Sequence, residues 1–298
     1  MPDLMKARLV KYFRSPLFYI AAIVSLVSGI YGGVYCTYFK DEAGTVINCP
    51  ADDMWMLTAI WTVIVLTAMV GGREFSDAAI RNKIAVGHTK TSIFLAEVIV
   101  TAIMTSIIYL LNIVPTAIGG WYFISEMPIY STIKWFINIF LTFELMNIFA
   151  VAITFLLANR AVAVVIAFAL HFVLYSMACF TDSYYYNIGE PKTGMDTAYI
   201  MYEDGRIEET EQEFENRNYI EGVPKTLIQI EHTVNPMNGL EDALYFGYIP
   251  DKTKAEEHVL KQEQNRIQTL NLDVWKMFAY CLAASCVGAL LFRKKDLK

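Results

Sequence analysis

Leu17-Phe18-Tyr19-Ile20-Ala21-Ala22-Ile23-Val24-Ser25-Leu26-Val27-Ser28-Gly29-Ile30-Tyr31-Gly32-Gly33-Val34-Tyr35-Cys36-Thr37-Tyr38-Phe39 runs for 23 residues without a charge. A hydrocarbon core about 30 Å thick takes ~20 mostly apolar residues as helix, so this run predicts a membrane span. Ser15-Pro16 ahead of it reads as an N-cap with proline at the first helical position. Five more runs follow: Met54 to Gly71, Thr91 to Ile118, Ile133 to Ala158, Ala161 to Phe180 and Val274 to Phe292. Glu97 and Pro115 sit near the two ends of the third span, with Glu97 expected to reach headgroup-level water, and Glu144 lies inside the fourth. Composition agrees, with 55% hydrophobic and 18% charged residues and a mean hydropathy of +0.38, against about 25% charge in a soluble domain.

The expected fold is an all-α polytopic membrane protein of about six spans. Residues 1–180 hold an interfacial helix and spans 1–5, 181–272 an extracytoplasmic segment, and 273–298 the last span and a tail. An even number of spans puts both termini on one side, and the distribution of basic residues says which. Thirteen lie on one face: Lys6, Arg8, Lys11, Arg14, Arg73, Arg81, Lys83, Lys90, Arg160, Arg293, Lys294, Lys295 and Lys298. The two short loops of the other face hold Lys40, with Lys134 at a helix edge. Both termini are expected in the cytoplasm of a multi-pass cell-membrane protein. The first apolar run is too long for the core of a cleavable signal peptide, so the spans themselves are expected to direct insertion.

Ahead of the first span, Leu4, Met5, Leu9, Tyr12 and Phe13 fall on one helical face and Arg8, Lys11 and Arg14 on the other. This predicts a short helix lying in the headgroup region; the alternative is a solvated basic tail. Thr181 to Leu272 carries 18 Asp and Glu against 8 Lys and Arg. Thr226-Leu227-Ile228-Gln229-Ile230 suggests a strand and Asn235-Pro236-Met237-Asn238-Gly239 a turn. Thr253-Lys254-Ala255-Glu256 resembles a capping box opening a helix towards Leu270. These elements predict a mixed α+β cap on the outer helix ends, the alternative being a partly mobile loop.

Between the second and third spans stands Gly71-Gly72-Arg73-Glu74-Phe75-Ser76-Asp77-Ala78-Ala79-Ile80-Arg81-Asn82-Lys83-Ile84-Ala85-Val86-Gly87-His88-Thr89-Lys90-Thr91. Ser76 or Asp77 can cap a helix, Ile80 and Ile84 stack at i,i+4, and Gly87 can end it in the left-handed conformation. A short amphipathic helix parallel to the membrane follows, suited to a cytoplasmic partner or to headgroups.

This stretch resembles the ABC-2 type permease family, the transmembrane subunits of certain ABC transporters. In that family an acidic residue after the second span leads into a coupling helix, then a glycine and a basic residue before the third. Glu74, Ile80, Arg81, Gly87 and Lys90 match that pattern, while Ala78-Ala79 stands where members often have Gly-Thr. The long outer segment also departs from the family core, in which short re-entrant helices separate the last two spans. The resemblance implies that residues 73–91 dock a separate ATP-binding subunit, with Glu74, Phe75, Ile80, Arg81, Ile84, Gly87 and His88 at the contact. It implies a second permease subunit, identical or related, and export as the direction.

The chain has no GxxxxGK[ST] loop, so ATP and Mg are expected on the partner and no cofactor in this chain. Intramembrane catalysis lacks its constellations: there is no HExxH, and His88, His171, His232 and His258 are scattered. The cysteines make no metal pattern; Cys36 and Cys49 would lie near the outer face, where a disulfide can form. Asn138, Glu144, Asn147 and His171 are polar groups within spans, either pathway residues or interhelical hydrogen-bonding groups. The expected function is the permease half of an exporter of an amphipathic peptide or other hydrophobic compound. The alternative is a non-transporting receptor or immunity protein that binds through the acidic outer segment. A lipid bilayer is an expected partner and nucleic acid is not.

Overall fold

The computed structural model describes residues 2–38, 53–76, 79–121, 129–185, 193–201, 207–215, 219, 221–238 and 257–295. Helices dominate: α1 Pro2–Phe13, α2 Pro16–Tyr38, α3 Asp53–Ser76, α4 Ala79–Ala85, α5 Lys90–Gly119, α6 Ile129–Leu157, α7 Arg160–Tyr185, α8 Val223–Val234 and α9 Glu257–Lys294. Strands β1 Thr193–Met201 and β2 Ile207–Glu215 pair antiparallel in a two-stranded sheet. Among the described residues, six helices are long and apolar enough to cross a membrane: α2, α3, α5, α6, α7 and the second half of α9. Each of the six apolar runs therefore forms a helix long enough to span a membrane.

Local chemistry sets the helix ends. Thr89 caps α5, its hydroxyl accepting from the Ser92 amide at 3.2 Å. Asn159 does the same for α7, accepting from Ala161 at 3.0 Å and Val162 at 3.2 Å. The turn before it holds Ala158 at φ 56°, a left-handed residue with a Cβ and so a strained one. At the other end of the molecule, α8 starts at Gly222 with φ 69°.

Packing runs mainly between α2, α3, α5, α6 and α9, with a core around Ile60, Ile64, Met104, Ile108 and Phe143. The α2–α5 crossing is close enough that backbones touch. A Cβ on Gly29 would lie 2.2 Å from the Asn112 carbonyl oxygen, and one on Gly33 would lie 2.5 Å from that of Pro115. Gly29 and Gly33 form a Gly-xxx-Gly stripe, the small-residue pattern that lets membrane helices approach. Thr116 donates to the Gly29 carbonyl at 3.1 Å, and Asn112 to the Ser28 hydroxyl at 2.9 Å, so polar groups reinforce the crossing.

One end of the bundle gathers α1, α4 and the basic loops. Phe75, Phe94, Phe155 and Phe292 form an aromatic cage there, with Phe155–Phe292 centroids 4.9 Å apart and Phe75–Phe155 5.2 Å. Lys295 donates to the Phe155 carbonyl at 2.9 Å and that of Leu156 at 2.7 Å, satisfying the last carbonyls of α6. The ends of α3, α5, α6 and α9 at this end of the bundle thus meet at one surface, as up-and-down threading with both termini on one side requires.

The segment between α7 and the last span departs from expectation. Thr226–Ile230 is not a strand but part of α8, because Leu227, Ile230 and Val234 recur at helical spacing and Pro224 stands in the first turn. The turn at Pro236 and Met237 is present. Residues 253–256 lie outside the described residues, and the helix that begins at Glu257 runs unbroken into the last span instead of ending near Leu270. Among the described residues no mixed α+β domain forms: β1 and β2 pair with each other, and α8 packs on α7. The side chain of Cys36 and all of Cys49 also lie outside the described residues, and with them the disulfide question.

Candidate functional site

Two carboxylates and a guanidinium, all buried, meet where α1, α3 and α5 converge. Arg8 lies 2.5 Å from Glu74, at the end of α3, and pairs also with Glu97 of α5. Tyr12, one turn beyond Arg8, donates its hydroxyl to Glu97 at 2.9 Å. Lys11 donates to Glu74 at 2.7 Å from the rim, and Lys83 of α4 pairs with the other oxygen of Glu74. Side-chain exposure is 3% for Arg8, 4% for Glu74 and 0% for Glu97. Isolated, each such charge would cost several kcal/mol on leaving water; together they offset one another.

The titration of the groups outside the spans follows. Burial disfavours the charge of Arg8, but Glu97 and Glu74 outweigh it and hold the guanidinium above its ordinary pKa. Burial, and then the negative charge of Glu97, push the Tyr12 phenol well above its usual value, so it remains a donor. Lys83 is lowered by burial and by the positive charge of Arg8, against the pull of Glu74.

Two expectations are corrected here. Helix α1 does not present Arg8 to headgroups: Leu4, Arg8 and Tyr12, spaced four apart, form its buried face, and Phe13 is exposed. Apolar patterning cannot foresee this, because the partners of Arg8 lie on other helices. Nor does Glu97 reach interfacial water; it is fully buried against Arg8 and Tyr12.

The loop of residues 73–91 is anchored to this cluster. Glu74 belongs to the cluster itself. Phe75 is half-buried in the aromatic cage, its ring carrying Lys295 Nζ at 5.2 Å from the centroid. Ile80 is buried within this chain, in one apolar cluster with Leu4, Ile93 and Phe94, and Ile84 packs against that cluster. After α4 the Gly87 amide donates to Ile84 at 2.9 Å and the His88 amide to Lys83 at 3.0 Å, with Gly87 at φ 100°. That pair of bonds is a Schellman motif, and it fulfils the left-handed expectation for Gly87. Arg81, Asn82, Ala85, Val86 and Gly87 are exposed, and His88 is half-buried. The loop thus divides in two: Glu74, Phe75, Ile80 and Ile84 attach it to the bundle, while Arg81, Asn82, Ala85 and Val86 face outward. Asp77 lies outside the described residues.

No protein-family model matches this chain, and no curated protein matches it.

The polar span residues are buried; Glu144 and Asn147 are brought together, while Asn138 and His171 stand apart from them. Glu144 and Asn147 lie on one face of α6, with Asn147 Nδ2 3.4 Å from Glu144 Oε2, and Thr67 of α3 donates to Asn147 Oδ1 at 3.0 Å. Ser106 of α5 is a further hydrogen-bonding neighbour of Glu144. Asn138 is buried further along α6. His171 is apart on α7, parallel to Tyr175 at 6.1 Å, with no hydrogen-bond partner for either ring nitrogen among the described residues. Among the described residues no group of three His, Cys, Asp or Glu is placed to hold a metal ion.

Proposed function

We propose that this chain is the membrane-spanning subunit of an ABC transporter of the ABC-2 type, powered by a separate ATP-binding chain that carries ATP and Mg. The observation that carries the reading is the two-sided loop after α3. Its outward side offers a basic and apolar docking surface at Arg81, Asn82, Ala85 and Val86. Its inward side is fixed through Glu74, Lys83 and Ile80 to α1, α3 and α5. A push on α4 therefore moves the ends of two spans together, which is what a coupling element has to do. Both termini and this loop face the cytoplasm in the proposed orientation, in keeping with the thirteen basic residues of that side. A second permease subunit completes the transporter.

The cargo we propose is a cationic amphipathic peptide, exported. The acidic outer segment supports this choice. In the β1–β2 register Glu209, Glu211, Glu213 and Glu215 stand opposite Tyr199, Thr197, Met195 and Thr193, every second position of one strand. Positions two apart share a face of a strand.

The structure changes how docking is tested. Ile80→Asp would put a charge into this chain's own core and unfold the loop, whereas Val86 is 82% exposed. Val86→Asp should leave the purified permease folded and detach the ATP-binding chain, since an unpaired charge in an apolar contact costs several kcal/mol. Retention of an ATPase by Val86→Asp, Arg81→Glu and the double variant would refute docking on α4.

A further inference from the structure

A groove of about 1060 Å³ runs between α7 and α8 at the end of the bundle away from α1. Val173, Met177 and Phe180 of α7 form one wall and Leu227, Ile230 and Val234 of α8 the other. All six are more than two fifths exposed, from Met177 at 45% to Phe180 at 63%, and all six side chains are apolar. The polar groups at the mouth bond mostly to one another, with Asn238 Oδ1 left without a partner among the described residues. Thr181 and Asn238 donate to Glu231, Asn235 Nδ2 donates to Glu231 Oε1 at 2.5 Å and to the Leu174 carbonyl at 2.7 Å. From the last helix, Tyr280 donates to the Val234 carbonyl at 2.7 Å. These bonds hold α8 across the end of α7 while its apolar row stays open.

Position identifies what fills the groove. Thr181 is the last residue of the apolar span on α7, so the mouth lies at the membrane boundary and the α7 wall lies below it, at hydrocarbon depth. That wall continues the exposed apolar surface of α7, where Val165 and Phe172 stand open as well. A surface of this kind at this depth is solvated by hydrocarbon, and the walls offer no polar group in need of a partner. The volume lies just above the range for small-molecule sites.

We propose that the α7–α8 groove seats an acyl chain of a phospholipid from the leaflet on the α8 side, with the Glu231–Asn235 cluster at the headgroup level. The lipid steadies α8 against α7. This site does not depend on the transporter reading; it requires only that α7 crosses a bilayer.

The test uses the full chain reconstituted into phosphatidylcholine vesicles containing a phosphatidylcholine with a diazirine on one acyl chain. After illumination, modified residues are mapped by mass spectrometry. Adducts are expected on Val173, Met177, Leu227 and Ile230. The variant Leu227→Trp/Ile230→Trp fills the groove from exposed positions, and should lose the adducts on Val173 and Met177 while those on Ile23 and Val27 of α2 persist. Adducts on α2 with none on the α8 row would overturn the proposal, and disulfide cross-linking of Leu227→Cys between two chains would then assign the groove to a second copy. Equal labelling of Val173 in the wild type and the filled variant would also overturn it, reporting surface lipid with no seated chain.

Discussion

Replacing Arg8 with methionine tests the buried cluster that fixes the loop. The substitution keeps an unbranched side chain and the helix propensity of α1 while removing the one charge that both Glu74 and Glu97 share. At about 4 Å between charge centres and an effective dielectric of about 20, each attraction is about 4 kcal/mol, so two amount to about 8 kcal/mol. Desolvation of the guanidinium, several kcal/mol, offsets part of this, leaving a net loss of about 3–5 kcal/mol, the range for a buried pair that loses one member. Glu74 keeps Lys11 and Lys83, so the loss falls on Glu97, which retains the Tyr12 hydroxyl. Because 1.4 kcal/mol is tenfold, the open population of α1 should rise by roughly 10²-fold to a few thousandfold. Hydrogen exchange of the α1 amides in the purified protein reads this directly. Adding Glu97→Gln removes the orphaned charge, so the double variant should recover most of the protection. Unchanged α1 exchange in Arg8→Met, or a double variant no better protected than the single, would refute the electrostatic account of the cluster.

Gly29→Leu should destabilise the α2–α5 crossing by more than the ~1–3 kcal/mol of ordinary overpacking, because the obstacle is a backbone carbonyl; a lowered unfolding temperature checks it, and wild-type stability would contradict it. His232 lies buried in α8 with its ring stacked 3.5 Å from that of Tyr185. Burial, with the charge of Lys276, lowers its pKa from 6.5 to about 4, so docking of α8 is fully stable above pH ~6.5 and is lost as pH falls towards 4. The window is worth on the order of 3 kcal/mol, and exchange of residues 223–238 should rise across it in the wild type but not in His232→Phe. For orientation, single cysteines at Glu208 and Asn82 in a cysteine-free background should react with an impermeant thiol reagent on intact cells at Glu208 alone; the reverse pattern would invert the topology.

The spans were legible because apolar length suffices to define them: all six uncharged or nearly uncharged runs became helices, and all but the last, whose helix already begins at Glu257, have ends within a few residues of those expected. Gly87 was legible for the same local reason, since a left-handed cap needs only its neighbours. Arg8 and Glu97 were misplaced because their burial depends on each other, across 89 residues of sequence, and amphipathic patterning assigns every charge to a wet face. A basic residue one turn from Leu4 and one from Tyr12, with unpaired Glu97 inside an apolar run, was the signal available. Thr226–Ile230 misled as a strand because five residues cannot separate the two periods; Pro224 and the spacing out to Val234 decide for helix. The stretch around Glu74 carried the resemblance but not its division into an anchored and an open side, which is set by how α4 sits on Leu4, Ile93 and Phe94.

The most direct test of the account is purification of the tagged chain from its native membranes in mild detergent, followed by identification of what accompanies it and by assay of ATP hydrolysis. The account predicts a separate chain bearing a GxxxxGK[ST] loop, ATPase activity in the complex, and loss of both with Val86→Asp while the tagged chain stays monodisperse. A chain purified without any ATP-binding partner, yet still protective against or responsive to its ligand in cells, would contradict it.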